Sequence, residues 1–158
     1  MSLQGIAGNQ TNRSKSMDYE KAKQYASKHH ETNDCTVKAI AIACDVPYAV
    51  AHKALKIQGR VNRKGAYRHQ QVKAIQSLGF KAVSVPFTAA TVTSLKFEPA
   101  VAKGYFMAYI KRHVLAVVDG KVEDWSDGRR HRLQEIIKVM PAVSRAERAK
   151  MKAAVMAQ

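Results

Sequence analysis

The apolar positions of this chain follow one period before residue 80 and another after it. In "TNDCTVKAIAIAC", residues 32–44, Val37, Ile40, Ala41 and Cys44 recur at i, i+3, i+4 and i+7, one face of a helix. Ala39, Ile42 and Ala43 fill the flanks. A helix that is apolar nearly all round belongs at the centre of a fold. "MDYEKAKQYASKH", "VPYAVAHKALKIQG" and "HQQVKAIQSLG" predict three more helices, with Asp18 as a cap, Pro47 in a first turn, and Gly59 and Gly79 as stops. From Phe80 the period shortens. "FKAVSVPF" alternates as a strand does, and "TAATVTSLKF" reads as a short helix or turn. "GYFMAYI", "HVLAVVDG" and "KVEDW" are three further strands, the last two joined at Asp119-Gly120 by a tight hairpin. "SRAERAKMKAAVMAQ" carries Ser144 and Glu147 at capping-box spacing and predicts a closing helix. Helices first and an antiparallel sheet second make an α+β fold, with the helices on one side of the sheet.

With 158 residues, the chain fits one domain with no internal repeat. Residues 1–16, rich in Gly, Asn, Ser and Gln, read as a flexible basic arm. Residues 17–140 hold the domain, and residues 141–158 a basic C-terminal helix or tail. The 27 Lys and Arg against 12 Asp and Glu give a formal charge of +15. Such an excess predicts attraction to a polyanion, nucleic acid before an anionic membrane, against a basic surface without a specific partner. The acid-free loop "GRVNRKGAYRH" offers Arg60, Arg63, Lys64 and Arg68 as contact residues. No run reaches the ~18 apolar residues of a transmembrane helix, and "MSLQGIAGNQTNRSKS" lacks the apolar core of a signal peptide. The expectation is a soluble protein of the cytoplasm, or of a particle assembled there, without a membrane partner.

Two cysteines, Cys35 and Cys44, sit nine positions apart on one helix. That is about 13–14 Å along the axis, beyond the ~7 Å Cα limit of a disulfide, so both read as free thiols. Cys44 belongs to the apolar face. Cys35 falls in the first turn, behind Asn33 or Asp34 as cap, where free N–H groups and the helix dipole favour a thiolate. The plain alternative is a small buried hydrophobe.

A cysteine nucleophile needs a base and an orienting oxygen. Among the six histidines, His113 stands at the start of a strand that leads into the hairpin, and Asp124 follows on the neighbouring strand. Folding the segment about Asp119 and Gly120 brings the carboxylate to the imidazole, with Asp127 as second choice. Trp125 reads either as a shield for that pair or as a core aromatic. Cys35, His29 and His30 are too few and too closely spaced for a structural zinc site.

The phrases "ETNDCTVKAIAIACDVPYAVAHKALKIQGR" and "GYFMAYIKRHVLAVVDGKVEDW" resemble the two halves of a papain-like cysteine peptidase. The resemblance is to the compact phage-type and bacteriocin-leader-peptidase-like modules, and covers roughly residues 30–127. It implies a papain-like fold, with Cys35 as nucleophile, His113 as base and Asp124 as orienter, acting on a polypeptide without a cofactor or metal. The family carries a Gln about six residues before the cysteine as oxyanion donor; His29 stands at that position here. The donors expected instead are the Cys35 N–H with Asn33, or His29. Two functions follow: a phage-encoded peptidase, or a catalytically weakened relative that serves a phage particle as a structural or nucleic-acid-associated protein.

Overall fold

The structure, a computed structural model, describes residues 16–158. All of the predicted arm except Ser16 lies outside the described residues. Four helices come first: α1 (Tyr19–Lys28), α2 (Cys35–Ala43), α3 (Tyr48–Ile57) and α4 (Arg68–Ser77). Strand β1 (Phe80–Ser84) follows, then 3-10 turns over Val92–Phe97 and Pro99–Val101. Strands β2 (Tyr105–Ile110), β3 (His113–Val118), β4 (Lys121–Glu123) and β5 (Glu135–Pro141) complete the sheet, and helix α5 (Arg145–Ala157) closes the chain. The class is α+β. The five strands are all antiparallel, in the order β1-β5-β2-β3-β4.

Strand β5 was not legible in the hydrophobic pattern. Its "EIIKVMP" shows no alternation because it is an interior strand and faces two cores. Ile137 joins the helix-side core and Ile136 the opposite one. A strand buried on both faces loses the period-2 signature of a half-exposed one.

Helix α2 packs on the sheet with Val37, Ile40, Ala41 and Ile42 fully buried. Opposite it, alternate residues Val114, Ala116 and Val118 of β3 and Met107 of β2 complete the helix-side core. On the other face Phe106, Ile110, Leu115 and Val117 pack under Val92 and Leu95 of the 3-10 segment. Helices therefore cover one face, and irregular chain covers the other.

Local signals explain the ends of these elements. The Asp18 side chain caps α1 by accepting from Lys21 N at 2.9 Å. Ser144 caps α5 by accepting from Glu147 N at 3.2 Å. Pro47 is itself the N-cap of α3, one place earlier than expected. Asp119 and Gly120 both take positive φ, 49° and 80°, as a two-residue primed turn requires. Val118 accordingly pairs with Lys121. Gly79, at φ +86°, lets the chain pass close under α5: a Cβ there would lie 2.7 Å from Arg148 Cγ.

Candidate active site

The head of α2, the mouth of β3 and the end of β4 converge on a hollow of about 240 Å³. It is lined by Cys35 and Lys38 of α2, His113, Asp124 and Trp125, and Tyr19 of α1, among others. Helix α2 packs along β3, so the first residue of the helix meets the first residue of the strand. Cys35 and His113 face the same hollow, close enough for the imidazole and the Val114 N–H to favour the thiolate, and the thiol lies 3.9 Å from the Thr36 hydroxyl.

Asp124 reaches the imidazole because β4 is short. The strand ends at Glu123, paired with Ala116, and the chain then turns through residues 124–128. The turn swings the Asp124 carboxylate back toward the strand mouth, where Oδ2 lies 2.7 Å from His113 Nε2. Ser126, wholly buried, donates to the same oxygen from its hydroxyl at 2.6 Å and its N–H at 3.1 Å. With Nε2 committed to Asp124, Nδ1 is the nitrogen left for the thiol. Asp127 is exposed and lines a separate hollow beside Gly120. Trp125 is half-exposed, its ring 5.0 Å from that of His113 and edge-on to His131 at 5.7 Å.

The electrostatics favour charge separation. Burial works against a Cys35 thiolate, but the His113 hydrogen bond, the Val114 N–H, the charge of His113 and the Thr36 hydroxyl outweigh it, and the thiol pKa falls. Burial likewise disfavours an imidazolium at His113. The hydrogen bonds to Asp124 and Cys35, and the charges of both, overcome it and raise the pKa to about 9. Both shifts favour a thiolate–imidazolium pair. Cys44 is the contrast: burial alone pushes its pKa up. Both cysteines are free.

The helix head is left open. Asp34 is the N-cap of α2, yet its side chain makes no capping bond. Its Oδ2 accepts from the Tyr48 hydroxyl at 2.8 Å and its Oδ1 pairs with Lys38 Nζ at 3.1 Å. No side chain caps the first-turn N–H groups, and Cys35 of that turn lines the hollow. Such a site favours negative charge.

A second network fixes the loop that delivers Cys35. Glu31, its side chain 3% exposed, pairs with His52 Nε2 at 2.6 Å and Arg60 Nη1 at 3.1 Å. It also accepts the Arg63 N–H at 2.6 Å. Arg63 Nε in turn donates to His30 O at 3.0 Å. Burial opposes a Glu31 carboxylate, but Arg60, His52 and the Arg63 N–H hold its pKa down at about 2. These bonds brace two residues of positive φ, His30 and Asn33, both at 51°.

Several residues read from the sequence take other roles. Arg60 is a correction: its side chain is 1% exposed, inside the Glu31 cluster, because the chain folds back over the loop before Cys35. It is no surface contact for a polyanion. Arg68 pairs with Glu135 and stacks on Tyr109. Arg63 and Lys64 are exposed. Of the two expected oxyanion side chains, Asn33 lines the hollow with Cys35 and His29 does not. The Asn33 amide donates to Arg63 O at 3.1 Å. His29 is exposed, stacked on Tyr48 and absent from the lining of the hollow. Tyr19, Lys38 and Ser126 escaped sequence reading. Tyr19 resembled an ordinary residue of an amphipathic helix, and only its position after the Asp18 cap fixed where it begins.

The chain matches no family model, no curated protein and no solved structure. Function therefore rests on the geometry. Among the described residues no group of three or more His, Cys, Asp or Glu side chains is placed to hold a metal ion. No described helix is long and apolar enough to cross a membrane.

Proposed function

We propose that this chain is a papain-like cysteine hydrolase of the compact phage type, cleaving an amide or isopeptide bond of a polypeptide. The observation that carries the reading is the continuous chain of contacts from Cys35 through His113 to Asp124 at an uncapped helix head. It supplies the three parts that acyl transfer to a thiol requires: a nucleophile of lowered pKa, a base beside it, and a carboxylate that holds the base.

In this reading the Cys35 thiolate attacks the carbonyl carbon and the C=O electron pair moves onto oxygen. Collapse of the tetrahedral intermediate breaks the C–N bond. The imidazolium of His113 gives its proton to the departing nitrogen, leaving a thioester on Cys35. Neutral His113 then takes a proton from water as it attacks the thioester, and the acid is released with the thiolate restored. Asp124 stays ionised and orients the ring. Trp125 shields the His113–Asp124 bond from water. No cofactor enters any step.

The test is labelling of the full chain with a thiol-reactive peptide amide or ester probe. Covalent modification at Cys35 that disappears in His113→Ala is expected. Equal labelling of wild type and His113→Ala overturns the reading.

A second activity is supported by the basic face of α5. Arg145, Lys150 and Lys152 are exposed on α5, against Glu147 alone. Such a face favours docking on nucleic acid, and would serve equally a chain that keeps the fold as a structural component of a phage particle.

A further inference from the structure

We propose that the Tyr19 hydroxyl and the backbone N–H of Cys35 together form the oxyanion hole of this site. The inference rests on the hydrolase reading and names the donors that stabilise its tetrahedral intermediate.

Tyr19 is the first residue of α1 and is held from two sides. Asp18 caps the helix beside it, and its own N–H donates to Glu123 Oε2 at 3.1 Å, on the strand that ends at Asp124. The ring packs, as Cys35 does, against the helix-side core, with Lys38 Nζ 5.8 Å from its centroid. The side chain lines the same hollow as Cys35, His113 and Asp124. Its hydroxyl has no hydrogen-bond partner among the described residues.

Several other side-chain donors near the helix head are committed or peripheral. The Asn33 amide already donates to Arg63 O. Lys38 is neutralised by Asp34. Arg112 sits on the exposed β2–β3 turn. His29 faces Tyr48. On the backbone side the open first turn of α2 presents the Cys35 N–H, which has no protein acceptor among the described residues.

A phenol suits this place. Burial, and then the carboxylates of Asp124, Glu20 and Asp34, raise its pKa, so the hydroxyl keeps its proton at neutral pH and remains a donor. Being neutral, it adds no charge that would compete with Cys35 for the His113 imidazolium. As sulfur bonds to the carbonyl carbon, the oxygen gains a full negative charge. It accepts from Cys35 N–H and Tyr19 O–H until collapse re-forms the C=O bond. A preorganised donor of this kind contributes typically ~10²–10³ in rate.

The experiment compares two reactions of Cys35 in the full chain. Acylation by p-nitrophenyl acetate, read as release of p-nitrophenolate, passes through an oxyanion. Alkylation by iodoacetamide does not. Tyr19→Phe is expected to slow acylation by ~10²-fold while leaving the alkylation rate essentially unchanged. Tyr19→Gln, which discards the ring and keeps an N–H donor, is expected to acylate faster than Tyr19→Leu. Equal acylation by wild type and Tyr19→Phe overturns the assignment and leaves the hydrolase reading standing. Parallel loss of both reactions in Tyr19→Phe, or Tyr19→Gln no faster than Tyr19→Leu, also overturns it, because the ring is then only packing. Wild-type protein that shows no Cys35-dependent acylation overturns the hydrolase reading and this inference with it.

Discussion

His113 Nε2 and Asp124 Oδ2 lie 2.7 Å apart, and that one carboxylate oxygen also accepts both the hydroxyl and the N–H of Ser126. Three donors on one oxygen fix the carboxylate, and the carboxylate fixes the ring. Asp124→Ala removes the acceptor and leaves the imidazole free to rotate. Turnover in this variant is expected to fall by roughly 10²–10⁴-fold. Ser126→Ala keeps the carboxylate and costs less. Steady-state rates of the two variants with one peptide substrate check the order; a Ser126→Ala loss equal to that of Asp124→Ala refutes it.

The same bond sets the pH range. His113 has its pKa raised from 6.5 to about 9, so its charged form is complete below 6.5 and is lost as pH rises through about 9. The thiolate of Cys35, with its pKa lowered, persists below the ordinary thiol range. Iodoacetamide alkylation of Cys35 is expected to remain fast at pH 6–7, where an ordinary thiol is slow. Hydrolysis should fall on an alkaline limb near 9. Asp124→Asn removes the charge that stabilises the imidazolium, and moves this limb down toward the ordinary histidine range. A limb that stays in place shows that Asp124 does not govern His113.

Glu31 is expected to matter for stability as much as for the site. Glu31→Ala strands the Arg60 guanidinium, whose side chain is 1% exposed and whose Nε and Nη2 have no partner. Removing one member of a buried ion pair costs about 3–5 kcal/mol. Equilibrium urea unfolding at pH 7 measures it, and a loss under about 1 kcal/mol counts against the buried pairing. The folded pKa of Glu31 is depressed to about 2. Its contribution is therefore full above the ordinary carboxylate range and is lost as pH falls toward 2. Wild type should lose stability in that window, and Glu31→Ala should lose less.

The basic face of α5 makes nucleic-acid affinity a question of salt. Each phosphate neutralised on a duplex lowers log affinity by about 0.9 per unit of log salt. Replacing Arg145, Lys150 and Lys152 with Gln is expected to reduce that slope and weaken binding between 50 and 300 mM salt, at roughly three phosphate contacts or fewer. An unchanged slope removes α5 from the interface.

By itself, the sequence determined what is decided over a few neighbouring residues. The 3.6-residue period placed α2, and Asp18 and Ser144 placed helix starts, because a cap bonds within three residues of itself. Asp119-Gly120 placed the hairpin, and with it the approach of Asp124 to His113. Free cysteines followed from helix geometry. What needed distant partners was settled only by the tertiary structure. β5 became an interior strand with two cores closing over it, which erases its alternation. Arg60, a surface cation by its neighbours in the chain, is buried because Glu31 meets it across a fold of the backbone. Tyr19 reaches the hollow because its N–H is tied to Glu123, on the far side of the sheet's sequence. Local periodicity carries no record of such encounters, since the free energy that fixes them comes from burial and pairing between segments far apart in the chain.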